Sequence, residues 1–290
     1  MSDQRHVEAG PMGQHKTDKE YLATRQYRDA SNLNARGSLH ARFGTNPYPW
    51  FRWLFDQVLA IAPAEARILE VGCGPAGLWL ENLDRLPSGW RVTLTDLSEG
   101  MVATARERLT AAGAPEGIFT IQTTDIESLP FADASFDVTI ANHMLYHVPD
   151  QPKGLSELQR VLRPGGALLA ATNGQDNMRE LDDVLAGFIS EQDKQWKASF
   201  RHPFKLENGP EQIAPFFDAI ETLLFEDSLR VTDEDALLAY CLSIDIPSLR
   251  EPAQQATLAA RIHERMAAQG GVFTITKSVG SFIARARPEA

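Results

Sequence analysis

Between Arg67 and Thr172 short apolar runs alternate with stretches of helical period, and few folds accommodate that alternation. The runs are Arg67–Val71, Trp90–Thr95, Ile118–Thr123, Phe136–Ala141 and Ala167–Thr172, with helices predicted over Ala76–Leu83, Ser98–Ala112 and Lys153–Leu162. A strand that pairs parallel to its neighbour needs a long crossover, usually a helix, so the pattern predicts βαβ units around a parallel sheet. Ser98 reads as a helix N-cap and Gly113 as a stop. Two later runs, Thr222–Val231 and Val272–Ala286, bring the expected strands to seven, with Gly280 read as a bulge in the last. The expected class is α/β: a doubly wound, seven-stranded, mostly parallel sheet.

Around this core the pattern differs. Residues 1–18 are polar and broken by Gly10-Pro11 and Gly13, which predicts a mobile tail. Residues 19–62 predict a helical lid. Its first helix carries Tyr21, Leu22, Tyr27, Ala30 and Leu33, and its second carries Trp50, Trp53, Leu54 and Val58. The core then occupies 63–290, with insertions at 175–217 and 245–270. The first insertion predicts a helix over Asn177–Ile189 and a loop bearing Trp196, Phe200, His202 and Phe204. Thr232-Asp233-Glu234-Asp235 forms a capping-box pattern, and Pro252 announces a helix over Ala253–Ala268.

Composition removes whole classes of partner. A net charge of −11 over 290 residues, with no basic stripe, argues against a nucleic-acid substrate. No apolar run approaches the ~20 residues that span a bilayer, and the N-terminal segment has no apolar signal core. Two cysteines, Cys73 and Cys241, support neither a disulfide framework nor a thiolate metal site. The expectation is a cytoplasmic protein without a metal.

The first run ends in Glu70-Val71-Gly72-Cys73-Gly74-Pro75-Ala76-Gly77, a G-x-G-x-x-G turn between strand and helix. Such glycines let a ligand approach the backbone closely. Asp96, closing the second run, is placed to accept from two ribose hydroxyls, as in a dinucleotide or another adenosine-containing cofactor. Glu70 suits a ligand with an amino group near the loop and is awkward for a pyrophosphate. Asp125, after the third run, is either an acceptor for an exocyclic amine or a turn residue.

These residues, followed by Leu129-Pro130-Phe131-Ala132-Asp133-Ala134-Ser135-Phe136-Asp137 and Leu162-Arg163-Pro164-Gly165-Gly166, resemble the class I S-adenosylmethionine-dependent methyltransferases. The resemblance is to the small-molecule branch that includes quinone-biosynthesis enzymes, and it is dense from Arg67 to Thr172. It implies a Rossmann-like sheet whose last strand runs antiparallel. It implies that Glu70 anchors the network at the methionine ammonium, with Gly72, Cys73 and Gly74 passing the methionine part. Asp96 would bind the ribose with Leu97 along the adenine, Asp125 would take the adenine amine with Ile126 beside it, and Asn142 would lie under the sulfonium. Met101 and Tyr27 complete the implied cofactor contacts, and Cys73 is read as packing, not as a nucleophile.

The donor motif leaves the acceptor open. A base is needed only where the acceptor must lose a proton, and His143 and His147 are the candidates. The aromatic supply of 19–60 and 175–217 suggests walls for a small, largely apolar acceptor. Two other readings stay open on sequence: a nucleotide-dependent oxidoreductase, and a protein that binds S-adenosylmethionine for another purpose.

Overall fold

The computed structural model describes residues 18–26, 31–189, 204–244 and 246–287; Tyr27, Trp196, Phe200, His202 and the residues before 18 lie outside them. Seven strands form one sheet in the order β3-β2-β1-β4-β5-β9-β6: β1 (Arg67–Val71), β2 (Arg91–Asp96), β3 (Phe119–Thr123), β4 (Phe136–Asn142), β5 (Leu162–Asn173), β6 (Phe217–Leu224) and β9 (Val279–Ala286). The first five pair in parallel, and β9 inserts antiparallel between β5 and β6. The α/β expectation and the antiparallel last strand both hold. Because β1 pairs with β2 on one side and β4 on the other, the strand order reverses at β1. Open α/β sheets take their ligands at that switch point, beyond the carboxyl ends of the strands.

The two late runs are each two strands. Thr222–Val231 divides into β6 and β7 (Ser228–Val231), and Val272–Ala286 into β8 (Phe273–Thr276) and β9, with β7 and β8 forming a separate antiparallel ribbon. Gly280 is not a bulge: it stays in register with Thr172 and Leu224. A Cβ there would lie 2.3 Å from the Leu223 carbonyl oxygen, so a glycine lets β6 and β9 close. Asn173 faces Val279 and Leu224 faces Gly280, so the chain leaves the sheet for the ribbon at the carboxyl edge of β5.

Two buried clusters cover the two faces of the sheet, and a third lies apart. The third joins Leu39 with the ribbon (Leu229, Ile275) and with helices Glu180–Leu185, Glu234–Leu242 and Pro252–Ala268. It forms a cap with its own core at the end where the ligand crevice opens. Helix limits shift locally. The helix expected over Ala76–Leu83 is Gly77–Leu80 plus a 3-10 turn, and Asn177–Ile189 shortens to Glu180–Leu185, since Met178 and Gly187 adopt positive φ. Asp233, not Thr232, caps its helix, accepting from the Ala236 amide. Ser98 caps the helix Glu99–Ala111 as expected. Among the described residues no helix is long and apolar enough to cross a membrane.

Candidate functional site

A cavity of about 1100 Å³ opens at the carboxyl ends of β1, β2 and β4. Its floor is the turn after β1. Gly72 and Gly74 have φ of 65° and 52°, the left-handed region that favours glycine. A Cβ at Gly72 would lie 2.7 Å from Met144 Cβ, so this glycine lets the turn pass under the chain leaving β4. Gly74 donates its amide to Asp96 Oδ2 at 2.9 Å, and Ser98 donates to Asp96 Oδ1 at 2.9 Å. Burial pushes the Asp96 carboxyl up, while these amides pull it back. Each oxygen keeps a lone-pair direction beyond the one these bonds use.

Glu70, in β1 two residues before Gly72, is 2% exposed and accepts the Trp79 indole N–H at 2.5 Å. Burial raises its pKa to about 8. The same burial, reinforced by Glu70 and Asp96, keeps the Cys73 thiol protonated. Leu97, Met101 and Ile126 line the cavity beyond Asp96. Asp125 is a turn cap that also lies on the cavity wall. Its Oδ1 accepts the Glu127 amide at 3.0 Å as a turn cap, and Oδ2 meets Lys19 Nζ at 2.5 Å on the cavity wall. Lys19 also reaches Glu127 at 2.6 Å, tying the front helix to this edge.

At the other end of the cavity stand Asn142, His143 and His147. Asn142 Oδ1 is shielded from solvent and unpartnered. His143 adopts φ 54° while its amide still bonds the Ala171 carbonyl at 3.0 Å, so the chain turns out of β4 with the imidazole 5.3 Å from the Trp50 ring. It is partly open to the cavity but packed deep among protein atoms. Desolvation, then the charges of His40 and Lys277, lower its pKa to about 3. His147 sits in the 3-10 turn Leu145–His147, its ring 4.6 Å from Tyr146.

Several lining residues escaped the sequence reading. His40, Phe225, Asp227, Tyr240 and Lys277 all face the cavity, most of them from the neck between sheet and cap. Their signal was slight: the charged Glu226-Asp227 and the Lys277-Ser278 pair interrupt the two late runs where they divide. Conversely Phe204, Phe216 and Phe217 belong to the core; Phe204 packs edge-on against Phe282 at 5.8 Å. Of residues 175–217 only Asn177 lines the cavity among those described.

Residues 69–170 match a family model described as a methyltransferase domain. That span runs from within β1 to within β5 and holds every cavity residue from Glu70 to Pro149. By that match it is a methyltransferase domain. The chain is 36% identical over 131 residues to a malonyl-(acyl-carrier protein) O-methyltransferase of Enterobacter lignolyticus, covering 43% of this chain and 47% of that protein. It is 37% identical over 117 residues to a ubiquinone/menaquinone biosynthesis C-methyltransferase of Geobacter sulfurreducens, covering 40% and 45%. The matched chain thus spans about half the length of these curated relatives. Among solved structures, the 4+2 cyclase SpnF superposes with a TM-score of 0.57 at 18% identity, covering 94% of this chain and 97% of that one. Phosphoethanolamine N-methyltransferase 2 of Haemonchus contortus, in complex with S-adenosyl-L-methionine, gives 0.56 at 21%, covering 93% and 60%. At these identities the likeness is one of fold.

Proposed function

We propose that this chain transfers a methyl group from S-adenosylmethionine to an O, N or C atom of a small, largely apolar acceptor. The observation that carries the reading is the single cavity that joins Glu70, Asp96 and Asp125 to the unpartnered Asn142. The donor set suits the cofactor. Asp96 keeps lone pairs for two ribose hydroxyls, Asp125 presents an acceptor at the adenine end, and Glu70 matches an ammonium. Bound there, S-adenosylmethionine would supply an electrophilic methyl group to an acceptor nucleophile, with its sulfur as leaving group.

The chain's part is positioning and the exclusion of water, worth up to ~7–11 kcal/mol when the reacting atoms are aligned. Asn142 and the His143 backbone turn fix the acceptor end, and Trp50 and Phe225, with ring centroids 5.4 Å apart, supply an apolar wall. His143 is neutral at neutral pH and can accept a proton only weakly at a pKa of about 3. A proton from an acidic acceptor is therefore better routed to water or to His147. The relatives' names span O- and C-methylation, which agrees with an acceptor set outside the shared domain.

The test is cofactor-dependent stabilisation followed by transfer. S-adenosylmethionine and S-adenosylhomocysteine should raise the melting temperature, by ~2.7 kcal/mol of added stability at a hundredfold excess over Kd. Labelled methyl should then appear in an acceptor from a metabolite panel. A shift with nicotinamide dinucleotides and none with S-adenosylhomocysteine would overturn the reading.

A further inference from the structure

We infer that the acceptor carries an acidic oxygen, a carboxylate or a phenolate, and that Lys277 anchors it with Trp50 as a further donor. This rests on reading the adjoining pocket as the methyl-donor site. Lys277 lies between β8 and β9, in the neck joining sheet to cap, with its side chain 9% exposed. Its Nζ meets Asp227 Oδ2 at 2.6 Å and stands 5.6 Å over the Phe225 ring. Asp227 has other partners besides it. Oδ1 already accepts the amides of Thr45, Asn46 and Ser228 at 2.8 to 2.9 Å. An ammonium has three N–H donors, and a buried one with a single carboxylate partner is short of acceptors.

Two more polar atoms on the same cavity are short of partners. Trp50 Nε1, which can only donate, and His40 Nδ1, which donates or accepts according to tautomer, are both shielded from solvent without a partner. Trp50 reaches Lys277 through one shared neighbour, Phe225. The Lys277 charge acts on both His40 and His143, and the Asp227 carboxylate opposes it at His40. Trp50 Nε1 and the spare N–H groups of Lys277 lack acceptors here, and the rings between them are apolar. A flat or greasy molecule ending in an oxyanion satisfies both conditions, and an uncharged one leaves the donors unmet.

The test uses the full chain saturated with S-adenosylhomocysteine and follows its melting temperature. The probes are benzoate, cinnamate and 2-naphthoate, each beside its amide, and 4-nitrophenolate beside 4-nitroanisole. At least one acid should raise the midpoint further while its neutral partner does not, and the two arms separate carboxylate from phenolate. Lys277→Met should lose the acid-dependent rise and keep the rise caused by S-adenosylhomocysteine. Trp50→Phe, which keeps the ring and removes only the N–H, should weaken the acid about tenfold, the equivalent of one hydrogen bond. Equal rises with acids and neutral partners, no rise with any acid, or full acid binding by Lys277→Met would overturn the inference. Should Lys277→Met not respond to S-adenosylhomocysteine, Trp50→Phe decides, and unchanged acid affinity there sinks the proposal. Wild-type chain that binds an acid but not S-adenosylhomocysteine would defeat the donor-site reading and leave the Lys277 anchor standing.

Discussion

Trp79 donates its indole N–H to the Glu70 carboxylate across 2.5 Å, and both side chains are almost fully buried, at 1% and 2% exposure. The helix after the glycine turn thereby grips the end of β1 from inside the core. Burial raises Glu70 from the usual 4.5 to about 8, so the folded chain holds a proton that the unfolded chain releases. Stability from this group is complete below pH 4.5 and is lost as pH rises toward 8, by at most ~1.4 kcal/mol per unit. A cofactor ammonium beside Glu70 would favour the carboxylate. Cofactor binding at pH 7 should therefore release most of a proton, read by calorimetry in two buffers of different ionisation enthalpy. Glu70→Gln should abolish that release; an unchanged proton count in the variant would place the ammonium elsewhere.

His40 and His143 set the opposite slope. Burial comes first for both, and their pKa values fall from 6.5 to about 4 and about 3. The unfolded chain binds protons at these positions that the fold refuses. Their contribution is intact above pH 6.5 and is lost as pH falls through that value toward 4, at up to ~1.4 kcal/mol per unit for each. Urea midpoints between pH 7 and 5, measured in a Glu70→Gln background to remove the opposing slope, should fall steeply. His143→Asn tolerates the left-handed backbone and should flatten the fall. Identical slopes in the two proteins would mean that His143 protonates freely in the fold.

Asp96→Asn should weaken S-adenosylhomocysteine binding by roughly 10- to 100-fold, more than a change at His143 or His147. Hydrogen bonds to a charged acceptor are worth ~1.5–3 kcal/mol each. The variant keeps the shape of the side chain, but its amide NH₂ must face an N–H that Asp96 accepts from Gly74 or Ser98. Isothermal titration decides it, with the cofactor-free melting temperature as control for folding. Affinity equal to wild type would mean that the ribose is held by other residues.

The cofactor half of the cavity was legible because its residues lie within one stretch of chain, each at the end of a strand whose period is local. Gly72, Asp96 and Asp125 follow β1, β2 and β3 in turn, so reading the strands places them together. The other half was not legible for the converse reason. His40 and Lys277 are 237 positions apart in sequence and meet the same cavity only because β9 returns antiparallel beside β5 and a bridge ties Gly44 to Leu229. Hydrophobic alternation runs on through Phe225 and Ile275 whether the chain continues one strand or crosses to another sheet. The division at Asp227 and Lys277 is a long-range event, driven by the cap's own core.

Arg160 explains why the stretch from Leu129 to Asp133 marks the sequence so plainly, and its part is structural. The guanidinium grips Glu157 with two nitrogens at 2.7 and 2.8 Å. It also donates to the carbonyls of Phe131 and Leu129 at 2.8 and 3.0 Å and to Asp133 at 2.7 Å. Glu157 in turn accepts the Leu129 amide at 2.8 Å, so the loop before β4 is locked to the helix before β5. Lysine has the charge but not the planar fork, and cannot meet two carboxylate oxygens and two carbonyls at once. Arg160→Lys should cost about 2 kcal/mol in urea unfolding. Asp133 is 79% exposed, and its single ion pair should be worth under ~0.5 kcal/mol, so Asp133→Ala should be nearly silent. Neither residue lines the cavity, and affinity for S-adenosylhomocysteine should stay within about twofold of wild type in both. A large loss of affinity in Arg160→Lys at unchanged stability would assign the loop to the site instead of the scaffold.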